Sequence, residues 1–254
     1  MNTWLVTTPY GVNVREGPDV NTKKVAPPIK QGTVLRELRV YGNWLLHDDG
    51  WSCIFEDHYV YLTKIGTVGD FNSDTLYFDS PVGTPEERRS YTLWPGYWID
   101  ANPYANSYQI RQGVWNIHTG SDLNLNYPSW NLDNRAPFYA CADGIVTYSE
   151  FRKDSWGRLL VIQHADKLFS RYGHAYSINV VVGQKVSRGE QLGLIGGSGY
   201  GRESAHSPHL HFDISKTNIL LQYPQHWPGW NRDLVFQHYV DPKKFISQNR
   251  PPGS

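Results

Sequence analysis

The chain is poor in sulfur, with two cysteines and one methionine in 254 residues. Cys53 and Cys141 lie far apart, and buried free thiols are expected, since unpaired cysteine is among the most buried residue types. A disulfide would need an oxidising compartment and matched geometry, and nothing in the sequence supplies either. Net charge is also missing. The 24 Lys and Arg balance 24 Asp and Glu, which excludes an electrostatic draw toward nucleic acid or anionic membrane. No run approaches the ~18 apolar residues that span a bilayer, and the mean hydropathy is −0.53, so a soluble protein without a membrane span is expected. The opening stretch MNTWLVTTPYGVNVREGP has no basic segment followed by an apolar one, so no secretory signal is expected.

Several chemical signatures are absent as well. There is no HExxH, which excludes a thermolysin-type zinc helix. GGSGYG (196–201) has Arg202 where a nucleotide-binding loop needs its third glycine, and no βαβ unit surrounds it. Nor does Ser198 sit in a GxSxG elbow, because Tyr200 replaces the last glycine. The segment reads as a turn, serving as a wall of a groove. No pair of carboxylates is placed for glycan hydrolysis. No long helical stripe and no internal repeat is visible.

Short alternating runs bounded by Gly, Pro, Asn and Asp dominate instead, the pattern of strands and turns. Aromatics are abundant, with 10 Trp and 17 Tyr; they suit β-rich cores and also suit stacking on sugars or gripping of extended peptides. The expected class is all-β and mainly antiparallel. Residues 1–66 read as a small β-barrel, 67–75 as a polar linker, 76–248 as a β-sheet domain and 249–254 as a tail. EERR (86–89) reads as a solvated turn.

The most informative stretch is SPHLHFDIS (207–215). In a strand, alternate side chains share a face, so Leu210, Phe212 and Ile214 form an apolar side. His209, His211 and Asp213 form the other. Of ten histidines, His118 lies in HTGSD with Asp122 four residues on, His164 ends LLVIQH, and His174 sits in RYGHAYS. Zinc catalysis needs neutral imidazoles, about one carboxylate and a vacant position for water. His118, Asp122 and one histidine of the HxH pair would supply such a set, leaving other imidazoles for proton transfer. His206 reads as a loop residue, with substrate contact as the alternative. His47, His58, His226 and His238 read as surface residues.

Two resemblances follow from these blocks. Val12 through Pro18 (VNVREGP), Lys30 through Thr33 (KQGT), Trp44, Gly50-Trp51 and Tyr61-Leu62 resemble bacterial SH3-like domains, which implies a barrel that aids binding to cell-wall peptide. HTGSD (118–122), Pro137 through Val146, Gly157 through His164, Tyr172-Gly173-His174, Gly189 through Gly196 and Pro208 through Phe212 resemble, in order, the lysostaphin/LytM-type zinc metallopeptidases. That resemblance implies zinc held by His118, Asp122 and His211, with His174 and His209 as the acid–base histidines. His164 matches a histidine often near the family's site, but a strand-end packing role serves equally. The implied activity is zinc-dependent endopeptidase cleavage of the peptide stems or cross-bridges of bacterial peptidoglycan, at the cell wall or periplasm. Without a visible signal, the protein would be cytosolic until released by lysis or specialised secretion. A monomer is expected. The alternative is a homologue that binds the wall or activates another enzyme without hydrolysis. The sequence departs from the family's pattern at Arg135-Ala136-Pro137, in the insertion NLNYPSWNLDN (124–134) and in the lengthened LLQYPQHWPGWNRDLVFQ (220–237), which leave the metal set intact and reshape the groove.

Overall fold

The computed structural model describes residues 2–8, 10–56, 59–67, 76–165 and 167–252. Most of the expected linker (68–75), His58 and the last two residues lie outside the described residues. The chain divides into two compact units, Met1–Asn72 with Val182–Gln184, and Ser73–Val181 with Lys185–Ser254. The named strands in both pair antiparallel throughout, and no helix among the described residues is long and apolar enough to cross a membrane.

The first unit contains a three-stranded sheet, in which Asn2–Val6 lies between Leu62–Thr67 and Val34–Arg36. It also contains a five-stranded sheet ordered Lys24–Ile29, Val12–Arg15, Gly50–Cys53, Trp44–His47 and Arg39–Tyr41. Period-two alternation in VNVR and WLLH sends Val12 and Leu45 inward to meet Trp4, Val6, Leu35, Ile54 and Leu62 in one apolar cluster. His47 is buried here, contrary to the surface position expected from sequence: it shares a 2.9 Å hydrogen bond with Ser52 Oγ. Cys53 is a half-buried free thiol, and Cys141 in the second unit is a fully buried one.

The second unit is built on an eight-stranded sheet. Its main path runs Trp98–Asn102, Ser121–Leu125, Leu210–Ser215, Leu168–Ala175, Arg158–Ala165, Gly144–Phe151 and Lys185–Val186, with Tyr239–Val240 also paired to Leu210–Ser215. The central strands are buried on both faces, which is why RLLVIQHA reads as a nearly continuous apolar run. On one face Leu210, Phe212, Ile214 and Leu123 are fully buried, with Phe212 against Tyr172 at 5.3 Å and Tyr172 stacked on Phe138 at 5.6 Å. On the other face Leu159, Val161, Phe169 and Tyr148 pack with Trp156, Leu220 and Tyr239. Asp213 and His211 lie on this second face and are buried as well. Within this strand the polar side is therefore covered at His211 and Asp213.

Helices are short. Pro85–Arg89 replaces the turn expected at EERR: Thr84 and Glu87 form a capping box, with Pro85 at the first turn. Thr-Pro-Glu-Glu carries that spacing in the sequence. Arg88 is buried, its guanidinium 3.6 Å over the Tyr139 ring. At the other end Asn249 accepts a backbone bond from Phe78, and Arg250 is buried against Asp79 at 3.3 Å. These two residues, which sequence places in the tail, close onto the start of the unit.

His164 belongs to the core. Its Nδ1 meets the Asp143 carbonyl at 2.8 Å, its Nε2 meets Ser170 Oγ at 2.7 Å, and Phe78 packs edge-on at 5.4 Å. Burial pushes its pKa down to about 4. A histidine whose folded pKa is depressed contributes stability that is present above its unfolded value and is lost as pH falls through the folded one. The window is thus about pH 6.5 to 4, with a contribution on the order of 3 kcal/mol. We expect denaturant unfolding of His164→Gln to show a shallower loss of stability across that window than the parent. Parallel pH profiles would refute the assignment.

Candidate metal centre and its cavity

Two local constraints assemble the site. The first is at Gly120. A Cβ there would lie 2.2 Å from the Phe212 carbonyl oxygen and 2.5 Å from Asp213 Cβ, so only glycine lets this chain pass against the Leu210–Ser215 strand. His118 and Asp122 flank that crossing, and pairing sets Asp122 directly opposite His211. The second is a β-bulge. Arg158 pairs with Ala175 but Leu160 pairs with Tyr172, so Gly173 and His174 together oppose one residue. Regular alternation would send His174 to the Tyr172 face; the extra residue re-aims it onto the face of His211. His174 carries a positive φ of 64°, a conformation that costs a non-glycine residue about 1–3 kcal/mol. Gly173 leaves room for the turn, since a Cβ there would press on Trp156 at 3.1 Å and His211 at 3.3 Å.

Three donor atoms converge at the centre. His118 Nε2 lies 3.1 Å from Asp122 Oδ1 and 3.1 Å from His211 Nδ1, and His211 Nδ1 lies 3.0 Å from Asp122 Oδ1. His211 Nε2 meets the Asp213 carboxylate at 3.1 Å. That contact requires an N–H at Nε2, so the neutral ring keeps its lone pair on Nδ1. Asp213 is fully buried and held by Arg171, also fully buried, and by Thr119 Oγ1 at 2.7 Å. Burial alone would raise the Asp213 carboxyl, but Arg171 and then His211 bring it down to about 2. Burial likewise opposes ionisation of Asp122, yet the surrounding imidazoles hold it well below the usual carboxylate range. Two imidazole nitrogens and a carboxylate oxygen at mutual contact form a donor set that fits a divalent cation, with three protein ligands and an open side. The ligand atoms of these three residues all lie within 4.8 Å of one another.

His209 precedes the Leu210–Ser215 strand and pairs with Gly196 in an isolated bridge. Its Nδ1 lies 2.8 Å from the Ser207 carbonyl, and its Nε2 lies 3.7 Å from Asp122 Oδ1. His174 Nδ1 lies 3.1 Å from the Ser198 carbonyl. A carbonyl can only accept, so each ring carries a proton on Nδ1, and when neutral keeps its lone pair on Nε2. The two rings face each other at 4.7 Å. Burial, reinforced by His209, His206 and His211, holds His174 well below the ordinary histidine value, and thus neutral.

All five of these side chains border one cavity of about 460 Å³. Tyr108, Ile110 and Asn116 of the hairpin formed by Ser107–Arg111 and Val114–Ile117 make one wall, Trp227 a second, and Ser155, Trp156, Tyr200 and His206 a third. GGSGYG contributes to this rim through Tyr200. Trp156 joins core to site: it stacks on His174 at 6.0 Å, meets His211 edge-on at 4.9 Å and lies 4.0 Å from the Arg171 guanidinium. The lengthened segment is fixed through three successive carbonyls. Arg171 donates to Pro224 and His226 at 3.0 and 2.8 Å, and Trp156 Nε1 donates to Gln225 at 3.0 Å. Trp227 follows, its indole N–H 3.1 Å from the Asn116 side-chain oxygen in the orientation that satisfies both groups. His226, read from sequence as surface, is half-buried against Tyr239 at 2.9 Å. His164 does not line the cavity.

Asp213, Arg171 and Thr119 were not assigned from sequence. The alternation His209-Leu-His211-Phe-Asp213 placed Asp213 on the correct face, but nothing in the sequence indicated that Arg171 would neutralise it. His206 and Trp227 also lie outside the recognised blocks.

A family model described as Peptidase family M23 matches residues 116–222. The peptidoglycan DD-endopeptidase ShyA of Vibrio cholerae is 38% identical over 78 residues, covering 31% of this chain and 17% of that protein. The murein hydrolase activator EnvC of Escherichia coli is 34% identical over 91 residues, 35% of this chain and 20% of its own length. The lipoprotein NlpD of Yersinia enterocolitica is 31% identical over 93 residues, which cover 35% of this chain and 91% of NlpD. The match thus spans a fifth or less of ShyA and of EnvC.

The Asp213 contact has a measurable consequence. A carboxylate behind a ligand imidazole fixes its tautomer, and such partners are typically worth 10–100-fold in metal affinity. Asp213→Asn should weaken zinc binding by about that factor in competition with a chromophoric chelator, and should lower the melting temperature because Arg171 loses its counter-charge. Parent-like zinc affinity in the folded variant would show that Asp213 does not orient His211.

Proposed function

The chain belongs to peptidase family M23, and on that premise we propose that it is a zinc-dependent endopeptidase acting on the peptide part of bacterial peptidoglycan. One observation carries this reading: His118, Asp122 and His211 converge beside two imidazoles, His174 and His209, whose Nε2 lone pairs are left free by backbone carbonyls. Zinc held by the three ligands would supply Lewis acidity at the scissile carbonyl and lower the pKa of the attacking water.

The protein's own groups do the rest. Asp122 brings one negative charge to the ligand set, so the centre keeps a net positive charge toward substrate. Asn102 Nδ2 donates to the other Asp122 oxygen, Oδ2, at 3.2 Å, which leaves Oδ1 for the metal. His209 and His174 stand on the open side, where each Nε2 can take a proton and, once charged, return it to the leaving amine. Trp156 and Trp227 exclude water from the ligand side and strengthen these charges.

For the first unit, the proposal is an SH3-like domain that holds the chain to wall peptide; a small cleft bordered by Arg15, Trp44, Glu56 and Tyr61 is the place for it. The site of action is then the cell wall or periplasm. Similarity to EnvC, named as an activator, favours one rival: a homologue that binds without cutting.

Digestion of sacculi separates the two. The endopeptidase should hold about one zinc and release new amino groups, not reducing sugars, in a reaction stopped by a chelator. His209→Ala should retain zinc while kcat falls about 10²–10⁴-fold. Absence of both metal and chelator-sensitive release would overturn the endopeptidase reading, and loss of zinc in His209→Ala would exchange the roles assigned to His209 and the ligands.

A further inference from the structure

A third imidazole outside the ligand set faces the cavity. The His206 ring lies 4.5 Å from that of His174 and 6.3 Å from that of His209. It is held by one edge. Nε2 lies 3.0 Å from the Ser155 carbonyl, and Gly199 backs that edge so closely that a methyl there would meet Nε2 at 2.5 Å and Cδ2 at 2.9 Å. A ring that donates through Nε2 keeps a lone pair on Nδ1 when neutral, and burial pushes His206 toward the neutral form. Nδ1 lies on the edge away from Gly199, and no hydrogen bond engages it among the described residues.

We propose that His206 is a substrate-contacting residue whose Nδ1 accepts a hydrogen bond from an amide N–H of the bound peptide on the Ser155–Tyr200 side of the cavity. The proposal rests on the peptidase reading and adds a contact that the recognised blocks do not contain. A peptide entering this cavity brings amide N–H groups out of water, and an unpaired one is costly. The lone pairs of His174 and His209 stand beside the metal centre for proton transfer. The His206 acceptor is set apart from it, on a ring whose orientation is already fixed by Ser155 and Gly199, so little ordering is needed on binding.

Two replacements separate this role from a structural one. In His206→Gln the side-chain amide can still donate to Ser155, but no acceptor stands where Nδ1 was. In His206→Asn an oxygen can occupy the Nδ1 position while the Ser155 contact is lost. Steady-state cleavage of soluble muropeptides should show KM raised about 3- to 10-fold in His206→Ala and His206→Gln, with kcat within about twofold of the parent. His206→Asn should recover most of the loss. Parent-like KM in His206→Gln overturns the proposal, as does a fall in kcat at unchanged KM. If the parent binds muropeptides without cutting them, hydrolysis fails but the same series, read as equilibrium affinity, still tests His206. A parent that neither binds nor cuts them overturns both.

Discussion

A fully buried carboxylate, Asp213, is the contact on which the site depends. Burying a charge is costly unless it is paired and hydrogen-bonded, and Asp213 is engaged by Arg171, Thr119 and His211 together. Each partner then has a second connection. Thr119 lies inside the His-x-Gly-x-Asp segment, so its bond draws His118 and Asp122 toward the Leu210–Ser215 strand. His211 is turned with Nδ1 outward. Arg171 extends to the Pro224 and His226 carbonyls and thereby anchors the segment that delivers Trp227. Breaking such a pair by removing one partner typically costs about 3–5 kcal/mol. The candidate ligand set and the cavity wall share this one buried charge.

The arrangement also explains why a strained residue sits beside the ligands. The face of the sheet that carries His211 and Asp213 continues from the apolar cluster of Leu159, Val161 and Phe169. Regular alternation along Leu168–Ala175 would have used that face for Phe169, Arg171, Gly173 and Ala175 and sent His174 to the other. The bulge adds His174 to it without disturbing the pairing of Gly173 with His211. The local penalty at φ 64° is offset by packing on both sides, from Trp156 and from the Ser198 carbonyl. These contacts hold the His174 ring from two sides and fix the edge that carries Nδ1.

Much of this could be read from the sequence, for a physical reason. Strand alternation made Leu210, Phe212 and Ile214 core residues, and all three are fully buried. Gly120 stood inside HTGSD, but only the structure shows why it is glycine, since a Cβ there would meet the Phe212 carbonyl. The motif spacings gathered His118, Asp122, His174, His209 and His211, which border one cavity. Contacts between residues distant in sequence and outside these blocks were not legible. Arg171 meets Asp213 across 42 positions, and Asn116 meets Trp227 across more than a hundred. The Pro85–Arg89 helix was missed for another reason: its capping box was present in the sequence, but five residues are too few to show an apolar stripe.

The distribution of these hidden contacts separates two tasks. The donor atoms and the carbonyl-anchored imidazoles come from the recognised blocks, where backbone pairing fixes their positions. Much of the cavity wall comes from elsewhere. Trp227 belongs to the lengthened segment. Asn124, which opens the insertion after Asp122, donates to the Pro208 carbonyl at 3.0 Å and to Asp133 at 3.1 Å, bracing the approach to His209. His206 stands two residues before the Pro-His-Leu-His run and owes its orientation to Ser155 and Gly199 rather than to the sheet. Because these walls are tied to backbone carbonyls and to the Arg171 network, their side chains can differ while the donor set keeps its geometry. The walls therefore depend on contacts that the sequence blocks do not contain, while the donor set depends on strand pairing. The two sets of contacts meet at Arg171, which reaches the candidate metal centre through Asp213 and the wall through Pro224 and His226.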